Sequence, residues 1–342
     1  MGPKLPQALA EARNGIRAMV PAGSRVLVAC SGGADSLALA AAAAFLHRTG
    51  EISAGAIVID HQMQPGSAEV AGRAAEQCRA LGLDPVAVIE VSVDGSSEQA
   101  ARTARYAAFA QGMDATGAAR LLLGHTRDDQ AEQVLLGLAR GSGTLSLAGM
   151  PAARGPYLRP LLSLDRAATE AICRHEGLEY WEDPTNTSGA YLRNRVRHEV
   201  MPVLRAVLGD KVPEALARTA ALARADAEYL EALASRTLEE VLCTAAAEQP
   251  ATELRMDLTR LRALQKPVQS RVLRLAVVRL GAPAPDFERL AALTLLVQGS
   301  KSAGPVQLEG PVAATRLAGT RLPRGATAQL CLDAAALKAV ES

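Results

Sequence analysis

The first half of the chain alternates short, nearly unbroken apolar runs with longer stretches whose apolar positions recur at helical spacing. Runs at 26–30, 54–59, 85–91 and 120–124 are rich in Val, Ile and Leu, the pattern of strands covered on both faces in a parallel sheet. Stretches at 37–48, 67–81 and 97–117 predict helices between them, so the first half reads as an α/β domain built around a parallel sheet. Past residue 206 the pattern changes to alanine-rich amphipathic helices, with Leu216, Ala220, Ala223, Ala227, Leu230 and Leu233 near helical spacing. Residues 305–332 then alternate apolar and polar positions between glycines and prolines, which predicts short strands. The expected organisation is an α/β domain over 1–205, a mainly helical domain over 206–299, and a short β-rich tail over 300–342 packed on the second domain.

Strands of such a sheet deliver the chain to its carboxyl edge, where ligands gather. After the first run comes Ser31-Gly32-Gly33-Ala34-Asp35-Ser36, directly before a helical stretch. A strand, a glycine turn and a helix start aim backbone N–H groups and the positive end of a helix dipole at one point, where a pyrophosphate is stabilised. Gly32 and Gly33 let the backbone approach phosphate, and Ser31 and Ser36 add hydroxyl donors. Asp35 would repel polyphosphate unless a divalent cation such as magnesium lay between them. The alternative is a serine-capped tight turn into a helix with no ligand. A Walker A loop is excluded, because the lysines stand at 4, 211, 266, 301 and 338, and the Gly-x-Gly-x-x-Gly of dinucleotide-binding domains is missing from this loop.

Other strand ends carry chemistry too. Asp60-His61 ends the second run, either as part of a nucleoside pocket or as an Asp-led turn. His125 follows the fourth, ahead of Asp128, Asp129 and Glu132; adjacent carboxylates at a helix start offer hard oxygen ligands for magnesium, or Asp128 is simply an N-cap. Arg140-Gly141-Ser142-Gly143 closes that helix as a phosphate-binding cation on flexible backbone or as a glycine C-cap. Glu98, Arg102 and Arg105 share one helix face, which reads as a cleft lining or a solvated ion-pair face. Arg193, Asn194, Arg195 and Arg197 bunch cationic and amide donors suited to an RNA backbone and an extruded base, a reading favoured over a plain basic helix start by Trp181 and Tyr191 beside the segment.

Composition narrows the field. Apolar residues make up 49% and charged residues 21%, with a net charge of +1, so the chain as a whole is no polycation and any nucleic-acid surface must be local. Cys30, Cys78, Cys173, Cys243 and Cys331 are scattered, with no Cys-x-x-Cys pair, which predicts mostly buried thiols in a reducing compartment. No basic segment with an apolar core opens the chain, and the apolar run at 37–46 is about half what a membrane span requires, so a cytoplasmic protein is expected, without a membrane partner.

Taken in order, these motifs identify a resemblance. The loop at 31–36 resembles the PP-loop of the N-type ATP pyrophosphatases. Together with Asp60-His61, Glu98 with Arg102, Arg105 and Tyr106, His125 with Asp128 to Glu132, Arg140 to Gly143, Arg159-Pro160-Leu161-Leu162, Trp181 to Asn186 and Arg193 to Arg197, it resembles the tRNA(Ile)-lysidine synthetases over about 24–205. That resemblance implies a ligase that uses ATP and magnesium to adenylate the position-2 carbonyl oxygen of a wobble cytidine. Free L-lysine then displaces AMP and leaves lysidine, which changes codon reading and charging.

The resemblance also implies roles. Ser31, Gly32, Gly33, Ala34, Asp35 and Ser36 would hold ATP phosphates, with Asp35 and Asp129 on magnesium; Asp60 and His61 would lie by the adenosine. Asp35, His125, Asp128, Asp129 and Arg140 would be catalytic, while Glu98, Arg102, Arg105, Glu132, Arg193, Asn194, Arg195 and Arg197 would face lysine or tRNA(Ile). The basic run Arg255, Arg260, Arg262, Lys266, Arg271, Arg274 and Arg279 meets few acids within its own stretch and is expected to face tRNA. A homodimer is compatible with this reading. The chain departs from many relatives at Met63-Gln64, at Thr126 where a second histidine is common, and at Gln133 where threonine is common. The competing readings are a tRNA thiolase, a small-molecule amidating enzyme, and an ATP sensor or RNA-binding module without turnover.

Overall fold

A computed structural model describes residues 6–60, 62, 66–91, 98–141, 143–182, 192–243, 252–299, 303–318, 322 and 327–334. Two compact units result, one made of 1–141 with 146–221 and one of 142–145 with 222–342.

In the first unit, strands β1 (Arg25–Ala29), β2 (Ser53–Asp60), β3 (Val86–Glu90), β4 (Arg120–Leu123), β5 (Ala153–Arg154) and β6 (Tyr157–Leu158) form one sheet in the order β3-β2-β1-β4-β6-β5. Every pairing is parallel except the short β5–β6 ladder, which the hydropathy pattern did not anticipate. Register divides each strand between two cores. Val26, Val28, Ala54, Ala56, Val58 and Leu122 pack on one face under α1 (Gln7–Arg17), α2 (Ala34–Arg48), α3 (Ser67–Ala80) and α7 (Arg166–Glu176), while Leu27, Ile57, Leu121 and Leu123 meet Phe109 and Met113 of α4 (Glu98–Thr116) on the other. A period of two on a sheet covered on both sides produces this split.

The α2 helix is apolar nearly all round, with Leu37 through Ala44 buried, so it sits as a central rod between the sheet, α1 and α7. Alanine lets these backbones approach closely. The helix starts at Ala34, three residues before the apolar pattern, which brings Ala34, Asp35 and Ser36 into its first turn. Further on, α5 (Arg127–Arg140), which precedes the short α6 (Thr144–Leu147) in the chain, packs Ala131 and Leu136 on Val196 and Met201, from the π-helical turn Val196–Val200 that follows α8 (Leu192–Arg195) and from α9 (Met201–Leu208).

The long α10 (Val212–Val241) carries the unit boundary within it, rather than at the composition change near 206. In the second unit, α11 (Leu258–Ala263), α12 (Lys266–Arg279) and α13 (Phe287–Gln298) pack on an antiparallel sheet in the order β7-β10-β9-β8. Here the expectation needs correction. Strand β7 (Glu253–Asp257) lies inside the stretch read as helical and pairs with β10 (Gln329–Asp333), so the tail strands β8 (Ala303–Gln307), β9 (Ala313–Leu317) and β10 complete a sheet begun before residue 260. The alternation in β7 is too short to be distinguished from a helix turn by periodicity alone. Among the described residues, no helix is long and apolar enough to cross a membrane.

Candidate active site at the carboxyl edge of the sheet

The loop after β1 is built by its own serines. Ser36 Oγ accepts from the Ser31 backbone N–H at 3.1 Å, lies 3.3 Å from Ser31 Oγ, and donates to the Gly33 carbonyl at 2.9 Å. Ser36 therefore shapes the turn from inside. Gly32 adopts φ +82°, which an L side chain strongly disfavours, and its carbonyl accepts from the Trp181 N–H at 2.9 Å. Ala34, Asp35 and Ser36 open α2, so their N–H groups lack intrahelical partners and face the end where the helix dipole is positive.

Asp35 stands at the centre of this edge. Its Oδ1 accepts from the Thr169 hydroxyl at 2.5 Å, and among the described residues its Oδ2 takes no hydrogen bond. Burial raises its pKa from 3.8 to about 6; the Thr169 bond pulls it back and the nearby Asp129 charge pushes it further up. Close by, Gly124 permits the tip of β4 to press on the loop, since a Cβ there would stand 3.0 Å from the Asp35 carbonyl carbon and oxygen and from Ser36 N.

The helix start at 126–132 gathers the acids, in an arrangement different from the one expected. Thr126, not Asp128, caps α5, and Asp129 closes the box: its Oδ2 accepts from Thr126 N at 2.8 Å and Thr126 Oγ1 at 3.1 Å. Thr126, one of the departures from relatives, thus has a structural task. Asp129 Oδ1 accepts from Arg193 at 2.8 Å and Arg197 at 3.0 Å, and Glu132 accepts from Arg193 Nε at 2.9 Å and Arg197 Nε at 2.5 Å. Burial pushes the Asp129 carboxyl up, but Arg193, the Thr126 N–H, His125 and Arg197 together hold it below its ordinary value. Asp128 accepts from the Arg166 N–H at 2.9 Å and from Arg205 at 2.6 Å, tying α7 and α9 to α5. Its observed contacts are those of a strut.

His125 follows β4 directly. Burial lowers its pKa from 6.5 to about 4, only partly offset by Asp129, so the ring is neutral at physiological pH; among the described residues its buried Nδ1 has no partner. Arg105 and Arg193 lie close enough to contribute to that lowering. Arg102 stacks on Tyr106, 4.9 Å from the ring centroid. Asp60 is 4% exposed at the tip of β2 and its Oδ1 accepts from the Gln62 N–H at 3.0 Å, as in an Asp-led turn.

Two expected members do not join this group. Arg140 ends α5, about 18 Å along the helix from Asp128 at 1.5 Å per residue, and is exposed. Arg195 points to Glu199, 3.4 Å away, both more than half exposed. His61, Met63, Gln64, residues 183–191 and the Glu98 side chain lie outside the described residues. In the second unit the basic run is largely engaged: Arg271 and Arg274 both bind Glu231, Arg279 binds Glu239, Arg255 binds Glu253, and Arg260 and Arg262 donate to helix and loop carbonyls. The acids Glu231 and Glu239 come from α10, outside the window that made the stretch look unopposed.

Sequence reasoning missed Gly124, Thr169 and Gln77. Gln77 on α3 clamps Glu179 through both backbone groups at 2.9 Å, beside a cleft of about 470 Å³ that includes Gly32 and Trp181. Thr169 left one signal, a hydroxyl on the same stripe of α7 as Ile172 and Cys173.

A divalent cation fits part of this set. No group of three or more His, Cys, Asp or Glu side chains converges among the described residues, but magnesium characteristically takes one or two carboxylates and completes its shell with phosphate and water. Asp35, half-buried, with Oδ2 open and its pKa raised, gains from such a cation. Asp129 has both oxygens engaged by Thr126 and two arginines, so it supplies charge rather than an open ligand position.

The PP-loop domain family matches residues 6–204, and the TilS substrate binding domain family matches 256–319. The chain is 46% identical over 315 residues to a protein of Thermobifida fusca named tRNA(Ile)-lysidine synthase, covering 90% of this chain and 94% of that one. A protein of the same name from Leifsonia xyli is 49% identical over 290 residues, covering 84% and 86%. Among solved structures, the U34-tRNA thiolase NcsA from Methanococcus maripaludis with its [4Fe-4S] cluster superposes with a TM-score of 0.53 at 15% identity, over 63% of this chain and 76% of that one, a likeness of fold.

Proposed function

The chain belongs to the tRNA(Ile)-lysidine synthase family, and from that premise we propose that it ligates free L-lysine to the wobble cytidine of tRNA(Ile) at the expense of ATP. The observation that carries this reading is Asp35: a half-buried carboxyl raised to about 6, at the start of α2, where backbone N–H groups gather for a polyphosphate. The loop at 31–36 binds and orients the triphosphate. The position-2 oxygen of the cytosine then attacks the α-phosphorus, a P–O bond forms, and pyrophosphate leaves. In the second step the lysine ε-amine attacks carbon 2 of the base, AMP departs with the oxygen, and the amine proton passes to solvent.

Asp35 would hold magnesium, which would supply neutralisation of the charge growing on pyrophosphate. Fixed cations assist: Arg193 and Arg197 stand 32% and 25% exposed at the side chain, oriented by Asp129 and Glu132. His125, neutral, offers ring nitrogens as a hydrogen-bond partner rather than a cation, because burial disfavours its charged form. Since the arginines of the second unit are largely engaged with α10, tRNA contact there rests on guanidinium donors left over from those pairs.

Incubation with unmodified tRNA(Ile), ATP, magnesium and labelled lysine, followed by nucleoside analysis, tests the assignment. Label should appear in the wobble nucleoside and vanish in Asp35→Ala. Sulfur incorporation, or no label with the intact protein, overturns it.

A further inference from the structure

The α7 helix carries no motif residue, yet it grips the phosphate loop twice in one turn. Thr169 donates to Asp35 Oδ1 at 2.5 Å, and Cys173, four residues on, reaches the Ala34 carbonyl at 3.3 Å. Thr169 is fully buried, so its hydroxyl is present in an apolar layer formed with Ile172 and Cys173, where an unpaired hydroxyl would be costly. The Thr169 hydroxyl has one hydrogen and two acceptors in range, Asp35 Oδ1 and the Arg166 carbonyl at 2.8 Å. The helix that holds it is anchored to the site at its N-terminus as well: its first N–H binds Asp128, and its N-cap Asp165 binds both Ala168 N at 2.9 Å and Arg127 at 2.6 Å.

We propose that Thr169 is the positioning residue of Asp35, fixing the carboxylate through Oδ1 so that Oδ2 is presented to the cation that accompanies the nucleotide. Without the hydroxyl, Asp35 is free to turn about its last side-chain bond, and the bound cation loses its preset ligand. Outer partners of metal-binding carboxylates have this effect generally, at about 10- to 100-fold in affinity or activity. The inference rests on the proposed role of Asp35 as a magnesium ligand.

The test uses Thr169→Val, which keeps the shape and removes the hydroxyl, with Thr169→Ala as a second apolar replacement and Thr169→Ser as the conservative one. Manganese serves as a paramagnetic probe, its affinity for the full-length protein with a non-hydrolysable ATP analogue being read by electron paramagnetic resonance beside a thermal melt. Thr169→Val and Thr169→Ala should bind manganese about 10- to 100-fold more weakly while still melting cooperatively, and Thr169→Ser should return to within about threefold of the parent. The half-saturating magnesium for turnover should rise in parallel. Valine and alanine variants with parental manganese affinity, or a serine variant as weak as valine, overturn the inference. Asp35→Ala separates the two levels: if it binds manganese normally, the metal role of Asp35 fails and this inference with it, whereas loss in Asp35→Ala alone leaves the metal role standing and removes Thr169.

Discussion

Glu132 and Arg197 offer the sharpest energetic test of the site. The Glu132 side chain is 2% exposed and accepts from Arg197 Nε at 2.5 Å, Arg197 Nη2 at 3.1 Å and Arg193 Nε at 2.9 Å. Glu132→Gln preserves volume but removes the charge, and its amide places a donor against guanidinium donors, so that at most one oxygen still accepts. Breaking a buried pair by removing one partner costs about 3–5 kcal/mol where the charge left behind is fully desolvated. Arg193 and Arg197 are 32% and 25% exposed and keep Asp129 as a partner, so water and the remaining carboxylate offset part of that cost, and about 2–3 kcal/mol is expected. Arg197→Ala should cost a similar amount, because it leaves Glu132 with Arg193 alone. The double variant should then be less destabilised than the sum of the singles by about 1.5 kcal/mol or more, the signature of a direct pair. Urea melts followed by circular dichroism on all four proteins give the cycle, read on the transition of the first unit. A coupling within about 0.3 kcal/mol of zero, the scatter of independent sites, would falsify the reading of this quartet as a desolvated network.

Four further outcomes follow from the same geometry. Gly124→Ala places a methyl 3.0 Å from Asp35 and Ser36 backbone atoms, and should lower kcat/KM for ATP about 10- to 100-fold while changing the melting temperature little; parental kinetics would remove Gly124 from the site. Turnover should rise with pH through about 6 as Asp35 ionises, and this limb should move to lower pH as magnesium is raised; a limb insensitive to magnesium argues against cation binding there. Asp35 and His125 contribute to stability with opposite signs. The raised Asp35 favours the folded state below about 3.8, a contribution lost as pH rises to about 6, whereas the depressed His125 favours it above about 6.5, a contribution lost as pH falls toward 4. Melting temperature against pH should therefore show Asp35→Asn gaining on the parent above pH 6 and His125→Gln gaining below pH 5, and the reverse order contradicts both assignments. Finally, Glu231→Gln releases Arg271 and Arg274 and should strengthen RNA binding at low salt with a steeper salt dependence; unchanged binding would show these cations do not reach RNA.

Local order in the sequence was enough to read the sheet and its ligand edge. Buried strands of an α/β sheet need unbroken apolar runs, and a tight turn into a helix start needs small residues, so the strand, turn and helix at 26–36 were legible without coordinates. Periodicity could not find β7, because five residues fit either a strand or a helix turn until β10 pairs with them from more than seventy positions away. Charge counted along the chain misjudged the second unit for a related reason: the acids that meet Arg271, Arg274 and Arg279 arrive on α10, some forty residues earlier. The chemistry of the acids was likewise decided by distant partners. Asp128, Asp129 and Glu132 are neighbours on α5, yet Arg205, Arg193 and Arg197 make one a strut and the others a paired network. Asp35 takes its hydrogen bond from Thr169, 134 positions on. Residue type and spacing thus determined the strand, turn and helix start at 26–36; which carboxylate oxygens remained without a partner depended on contacts that only the folded backbone brings within hydrogen-bonding distance.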